Sequence, residues 1–339
     1  MRKSAFILLG AMFLALTGCQ TRSPKDPPGP RPFTRIANPD AQTVQLQIAM
    51  REFVPAHRQG PTVWLASVMH VGEPEYYRAL QHFLDTQTVV LYEGINTGAH
   101  RHHVHETASS ASPPPATTSV GNGGYSMQST LAKSLGLVFQ LEAIDYDRTN
   151  FLNSDLSIAE IQRIMAGNQP VATAGQTGGG NSTFDMLLQI MDGSSFLGSL
   201  FKIGMQIIAS SPQMQAVAKL TLIEAIGRLR GDMSDVQGLP PDWKQLIQVL
   251  IRARNKNLMT DLKSELKKIP RTGSVAVFYG AGHMDDLQKR VTSELHYRPA
   301  DEVWLTAISV DMRKSGLSPS EAQFLRSLIQ GQVDQMRQQ

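Results

Sequence analysis

Residues 274–283 read Ser-Val-Ala-Val-Phe-Tyr-Gly-Ala-Gly-His, an apolar run that breaks at glycine and ends in a histidine. Such a run is typical of a strand that is buried on both faces, as in a parallel sheet. Two other runs end in the same way: residues 63–69 precede His70, and residues 89–92 precede Glu93. The pattern predicts three strands whose carboxyl ends each carry a polar side chain.

Because the carboxyl ends of parallel strands surround one crevice, we expect His70, Glu93 and His283 to lie close together. Two imidazoles and one carboxylate are suitable ligands for a divalent metal with open positions for water. Gly280 and Gly282 permit a tight turn between the last strand and His283. We therefore predict a metal site at these three residues; which of them is a ligand and which a general base stays open.

The order of these motifs resembles the TraB/PrgY/GumN/Tiki family, which is described by two Gly-x-x-His motifs and a glutamate. Here Ser67-x-x-His70 is followed by Glu93 and then by Gly280-x-x-His283. Other matching positions, in chain order, are Met69-His70-Val71, Tyr76, Tyr77, Leu80, Gln140, Asn153-Ser154-Asp155-Leu156-Ser157, Arg254-Asn255 and Met259. The resemblance covers residues 44–310.

The resemblance implies a metal-dependent hydrolase, because the Tiki members of that family are divalent-metal-dependent proteases. It implies manganese, cobalt or zinc as the cofactor and a peptide or protein as the substrate. Ser67 departs from the family, which has glycine there. A serine fits this position if the backbone is extended but is strained if a positive φ is required.

Two other functions stay open. The broader superfamily that these proteins resemble includes lipoproteins that bind haem, and Tyr76, Tyr77 and Tyr92 lie near the predicted site as possible iron ligands. The serine at position 67 is also compatible with a catalytically degenerate binding or scaffold protein.

Arg254 falls on the apolar stripe of a predicted helix over 242–267, whereas Arg252 does not. An inward guanidinium needs a carboxylate or an anionic ligand to offset its burial. Two interpretations remain: a buried pair with an acid such as Asp145 or Asp147, or a catalytic anchor for a substrate carboxylate or a developing oxyanion.

Strand and helix patterns recur along the chain and predict an α/β (α+β) fold, with a mixed central β-sheet flanked by helices. The other predicted elements are strands at 43–54, 62–69, 88–93, 138–144 and 302–310, and a helix at 74–84. Residues 43–54 and 62–69 are close enough in sequence to pair as a hairpin.

The region 184–230 is apolar and rich in methionine, which predicts a helical insertion. It forms either a lid with a substrate-binding or membrane-resting face, or additional core. A capping box at Ser318-Pro319-Ser320-Glu321 predicts a helix in the C-terminal segment 311–339. We therefore expect one main domain over 43–310, which contains the helical insertion and is followed by the C-terminal segment.

Two stretches, 96–122 and 166–182, have the composition of surface loops inserted into that domain. The first contains a histidine cluster, namely His100, His102, His103 and His105. A loop without a rigid scaffold does not hold ligands in a fixed geometry, so we do not assign the predicted metal site to this cluster.

The first 18 residues have a basic start, about a dozen apolar residues and a small-residue end, which predicts a secretory signal. Leu16-Thr17-Gly18-Cys19 resembles the lipobox of bacterial lipoproteins, and Cys19 is the only cysteine in the chain. We expect membrane lipid attached to Cys19, followed by a Pro-rich tether over 19–42. This predicts a protein of the bacterial cell envelope. Gln20, where inner-membrane lipoproteins have Asp, favours the outer membrane by resemblance to known sorting rules.

Nucleic acid is not an expected partner. The 339 residues carry 32 Lys and Arg against 29 Asp and Glu, a formal net charge of +3. Such a small excess does not produce the extended basic surface that binds nucleic acid.

Overall fold

A mixed β-sheet with helices on both faces confirms the fold class that the sequence predicts. The computed structural model describes residues 31–57, 59–94, 122–165, 204–228 and 246–338. Pro32–Gln339 form one compact unit. The predicted signal peptide, Cys19, the histidine cluster and the two predicted loop insertions, apart from Asn122, lie outside the described residues.

The elements are numbered in chain order. The strands are β1 (Thr34–Asp40), β2 (Thr43–Pro55), β3 (Thr62–Val68), β4 (Val71–Gly72), β5 (Val89–Tyr92), β6 (Val138–Phe139), β7 (Phe151–Asn153), β8 (Ser274–Gly280) and β9 (Tyr297–Asp311). The helices are α1 (Pro74–Asp85), α2 (Asn122–Ser134), α3 (Gln140–Ala143), α4 (Ile158–Met165), α5 (Pro212–Arg228), α6 (Arg254–Lys268), α7 (Met284–Glu294), α8 (Met312–Ser315) and α9 (Pro319–Gln338). A π-helical turn, Val249–Ala253, leads into α6, and a 3-10 turn, Ala281–His283, leads into α7.

The order of strands in the main sheet is β1-β2-β3-β8-β5-β7, and β9 pairs with the other edge of β2. The predicted hairpin is confirmed, because β2 and β3 are antiparallel neighbours. β3, β8, β5 and β7 are parallel to one another. β8 comes late in the sequence but lies between β3 and β5, so the carboxyl ends of all three strands meet at one edge.

Both faces of β8 are buried, as its continuous apolar sequence predicts. Ala276 and Phe278 pack in the layer that contains α1 and α5. Val277 and Tyr279, on the opposite face, pack with Leu258 of α6 and its neighbours in α7. The sheet is therefore the middle of three layers, and its functional edge is supported from both sides.

The described part of the predicted helical insertion includes α5, which belongs to the core. Leu220 and Ile223 are fully buried, and so is the carboxylate of Glu224. Glu224 forms ion pairs with Arg228 of its own helix and with Arg326 of α9. Additional core, rather than a lid, is thus the correct interpretation for Pro212–Arg228, and α9 belongs to the same unit.

Three sequence-based assignments need correction. The tether predicted to reach residue 42 ends earlier, because Thr34–Asp40 pair with β2 as an edge strand. The strand predicted over 138–144 is only two residues long, and the short helix α3 follows it. At the start of α3, Gln140 N donates a hydrogen bond to His70 O. The three-residue strand β7 was not predicted, since it is too short to show periodicity.

Two further findings concern the helices. The predicted C-terminal helix is confirmed, with Ser318 and Glu321 bonded reciprocally as a capping box at its start. Within the described ranges, no helix has the length and apolar character needed to span a bilayer.

Candidate functional site

Gly280, at the end of the central strand β8, lies among the three predicted ligands. A β-carbon built on this glycine would be 3.2 Å from Glu93 Oε2, 3.9 Å from His70 Nε2 and 4.0 Å from His283 Cδ2. The structure therefore brings His70, Glu93 and His283 together at the edge that the sequence predicts. The φ of Gly280 is −55°, so a tight turn does not require the glycine. A side chain at this position would instead crowd the Glu93 carboxylate.

Glu93 is the electrostatic centre of the site. Its Oε2 accepts a hydrogen bond of 2.7 Å from the Gly280 backbone N–H, and its Oε1 accepts one of 2.8 Å from Arg254 Nη2. Burial alone would raise the pKa of this carboxyl. The neighbouring charges of His283, Arg254 and His70 outweigh burial and hold the pKa of Glu93 well below its usual range, so the group is ionised.

Arg254 is 5% exposed, in agreement with the apolar stripe that predicts its burial. Its Nε donates to Asp155 Oδ1 at 2.8 Å and its Nη2 to Asp155 Oδ2 at 2.5 Å, a bidentate pair with a fully buried carboxylate. Asp145 and Asp147 were the wrong acids; Asp145 instead faces Arg148 at the surface.

All three nitrogens of the Arg254 guanidinium therefore donate hydrogen bonds within the protein, because Nη1 also donates to Leu250 O at 3.3 Å. Burial would lower the pKa of Arg254, but the bonds to Asp155 and the charge of Glu93 raise it above its usual value. This arrangement favours a positioning role, in which Arg254 holds Glu93, over the predicted substrate anchor. A π-helical turn directly before α6 sets the direction in which the Arg254 side chain leaves the helix.

His70 is held through its Nδ1. That nitrogen lies 3.0 Å from Gln140 Oε1, while Gln140 Nε2 donates to the Tyr146 hydroxyl at 2.8 Å and Gln140 N donates to His70 O. The other ring nitrogen, Nε2, lies on the side of Gly280, 3.9 Å from a β-carbon built there. The backbone before His70 is fixed as well, because Tyr77 donates to Met69 O at 2.7 Å.

His283 repeats this arrangement with a different amide. Its Nδ1 lies 2.7 Å from Asn255 Oδ1, which again leaves Nε2 as the atom that faces the site. Nε2 is 3.5 Å from Glu93 Oε1. A lone pair on Nε2 and an ionised carboxylate oxygen repel each other unless a proton or a metal ion lies between them. The arrangement thus calls for positive charge at this point.

Sequence reasoning did not identify the supporting residues. Gln140 and Asn255 stand at positions quoted for the family resemblance, but no role followed from them. Asp155 is the second residue after β7, the next parallel strand of the sheet, so it continues the pattern of polar residues at strand ends. The signal was present, but a three-residue strand hides it.

Ser67 lies within β3 in extended backbone, so the serine is accommodated without a positive φ. Its side chain is 1% exposed, and Oγ has no hydrogen-bond partner among the described residues. The substitution of the expected glycine therefore costs a buried, unsatisfied hydroxyl but leaves the first motif undistorted.

The donor set fits a divalent metal in its chemistry: two imidazoles with outward Nε2 atoms, each oriented by an amide, and one ionised carboxylate. The distances between these side chains, however, are longer than a shared metal ion requires. Within the described ranges, no three His, Cys, Asp or Glu side chains are grouped closely enough to hold a metal ion together.

Comparison of the chain with family models, curated proteins and solved structures found no match.

Proposed function

We propose that this chain is a divalent-metal-dependent hydrolase of peptide bonds, anchored by lipid at Cys19 in the bacterial cell envelope. One observation carries the hydrolase proposal. His70 Nε2, the ring of His283 and the ionised carboxylate of Glu93 surround Gly280, and His283 Nε2 lies 3.5 Å from Glu93 Oε1. This is the donor chemistry that binds a metal and leaves room for water.

His70, Glu93 and His283 would hold the metal. A bound manganese, cobalt or zinc ion supplies a water of lowered pKa and polarises the scissile carbonyl. Glu93 contributes a full negative charge, because the neighbouring charges of His283, Arg254 and His70 keep it ionised. Arg254 and the Gly280 N–H hold its carboxylate in place. The Nε2 lone pairs can also accept a proton, so the proposal does not assign the general base to one of the three residues.

The alternative of haem binding receives less support where it involves Tyr76 and Tyr77. Tyr76 and Tyr77 are buried, and their hydroxyls bond to the backbone of Ser67 and Met69. Burial raises the pKa of both phenols, which keeps them protonated. In this position they fix the strand end that precedes His70 and do not face a ligand.

Metal analysis and hydrolysis assays test the proposal together. The purified protein is stripped with a chelator, reloaded separately with manganese, cobalt and zinc, and assayed on a library of quenched fluorescent peptides. We expect stoichiometric metal, metal-dependent cleavage and no Soret band in the visible spectrum. His70→Ala and His283→Ala should each lose both metal and cleavage while circular dichroism shows a folded protein.

His82→Ala is the matched control, because His82 is exposed in the last turn of α1 and not at a strand end. It should leave metal content and cleavage unchanged. Metal binding by His70→Ala and His283→Ala equal to that of wild type, or a Soret band in place of metal in the wild-type protein, would overturn the hydrolase proposal.

A further inference from the structure

The carboxamide of Asn255 has only one orientation that satisfies its neighbours. The residue is fully buried, and its Nδ2 donates to Asp286 Oδ2 at 2.9 Å and to His283 O at 3.2 Å. A carboxylate and a backbone carbonyl can only accept hydrogen bonds. The amide nitrogen must therefore face Asp286, and the amide oxygen must face His283.

This orientation determines which nitrogen of His283 carries the proton. An oxygen acceptor 2.7 Å from Nδ1 requires an N–H on that atom. The neutral ring then has its lone pair on Nε2, the atom that lies 3.5 Å from Glu93. If the carboxamide turned over, its NH₂ group would face Nδ1 and favour the opposite tautomer, with a proton in the place of the lone pair.

We propose that Asp286 is a positioning residue for the site, acting through Asn255 to set the tautomer of His283. Asp286 lies in the first turn of α7 and is itself held by Arg290 Nε at 2.7 Å, so its position is fixed independently of Asn255. In the sequence, Asp285 and Asp286 favour a helix start over the alternative of metal binding, because carboxylates are stabilised near a helix N-terminus. The geometry assigns Asp286 a second role. Its importance for catalysis rests on the proposed hydrolase function, whereas its effect on the tautomer does not.

The two histidines of the site differ in how their amide partners are oriented. His70 is oriented by Gln140, whose Nε2 bonds to the hydroxyl of Tyr146. A hydroxyl both donates and accepts, so it does not by itself dictate the orientation of the Gln140 amide. Only at His283 does an acceptor-only side chain fix the amide that fixes the imidazole.

The test is the tautomeric state of His283 in metal-free full-length protein, read by NMR of ¹⁵N-labelled histidine at a pH where the ring is neutral. His283→Ala assigns the signals by their loss. Glu93, 3.5 Å from Nε2, favours a proton on that atom, but the hydrogen bond of Nδ1 to Asn255 is shorter, at 2.7 Å. Wild type should therefore show the proton on Nδ1. Asp286→Ala should show a mixture of tautomers, and so should Asp286→Ser, whose hydroxyl is one bond too short to reach Asn255. Asp286→Asn keeps an acceptor oxygen and should restore the wild-type tautomer.

Asp285→Ala is the control for the helix-start role, because it removes a carboxylate from the same turn. It should leave the tautomer unchanged. Metal affinity gives a second readout: Asp286→Ala should lose roughly 10–100-fold, as outer-shell substitutions do, and Asp286→Asn much less. An unchanged tautomer in both Asp286→Ala and Asp286→Ser would overturn the inference, as would equal effects of Asp285→Ala and Asp286→Ala.

The two proposals fail in different ways. If wild type binds no metal and cleaves no peptide, but Asp286→Ala still mixes the tautomers, the hydrolase function is wrong and the positioning role stands. If wild type is a metal-dependent hydrolase and Asp286→Ala keeps both tautomer and metal affinity, the positioning role is wrong and the function stands.

Discussion

At the scale of single residues, Ser67 and Ser154 form a matched pair of buried serines, each 1% exposed. Ser67 Oγ has no partner among the described residues, whereas Ser154 Oγ donates to Asp261 Oδ2 at 2.7 Å. We predict that Ser67→Ala raises the free energy of unfolding by about 1 kcal/mol, since it removes an unsatisfied hydroxyl. Ser154→Ala should lower it by about 1–3 kcal/mol. Urea unfolding measures both, and a loss of stability in Ser67→Ala would contradict the assignment.

Arg254 compensates the charges of two carboxylates: the Asp155 side chain is fully buried and the Glu93 side chain is 15% exposed. Arg254→Ala leaves Asp155 and Glu93 without that charge and should cost about 3–5 kcal/mol of stability. Arg252→Ala removes the same group from a half-buried position two residues earlier and should cost clearly less. Thermal and urea unfolding of the two variants compare them directly. Similar small effects would show that the ion pairs with Glu93 and Asp155 contribute little.

The depressed pKa of Glu93 predicts a pH dependence of stability in the metal-free protein. Because the pKa is lower in the folded state than in the unfolded chain, at about 4.3, ionised Glu93 contributes stability above that pH. This contribution disappears as the pH falls through the folded value. The stability difference between wild type and Glu93→Gln should therefore be largest near neutral pH and shrink in acid. Urea unfolding between pH 7 and pH 3 measures it; a constant difference would contradict the prediction.

At the scale of elements, α5 meets the edge strand β1 through a glycine. A β-carbon on Gly227 would lie 2.5 Å from Ile36 Cγ1, closer than any normal contact. Gly227→Ala should thus separate the helix from the strand and cost about 1–3 kcal/mol. Gly331→Ala is the control, since Gly331 has open space on α9 and a helical alanine should add up to about 1 kcal/mol. Equal gains from both variants would show that α5 and β1 do not pack closely.

At the scale of the whole molecule, the proposed lipid anchor would determine in which cell compartment the domain operates. Acylation requires a thiol, and Cys19 is the only cysteine. Cys19→Ser should move the protein from the membrane fraction to the soluble fraction and abolish incorporation of labelled lipid. Gln20→Asp should keep the lipid but shift the protein toward the inner membrane. Continued membrane association of the Cys19→Ser protein without lipid label would point to another attachment.

The sequence by itself determined the fold class, the strand ends that carry His70, Glu93 and His283, and the burial of Arg254. These properties follow from local apolar periodicity, which an α/β domain must satisfy wherever its layers lie. The motif order that resembles a family also placed Gln140, Asp155 and Asn255 in sequence, without their roles.

Only the tertiary structure decided that β8 inserts between β3 and β5, which places Gly280 between the three predicted ligands. It also decided that Arg254 binds Asp155 and that Asn255 links His283 to Asp286. The physical reason is that hydrogen bonds between residues far apart in sequence leave no periodic trace. They depend on the lateral order of strands and on side-chain orientation, which only the packed layers fix.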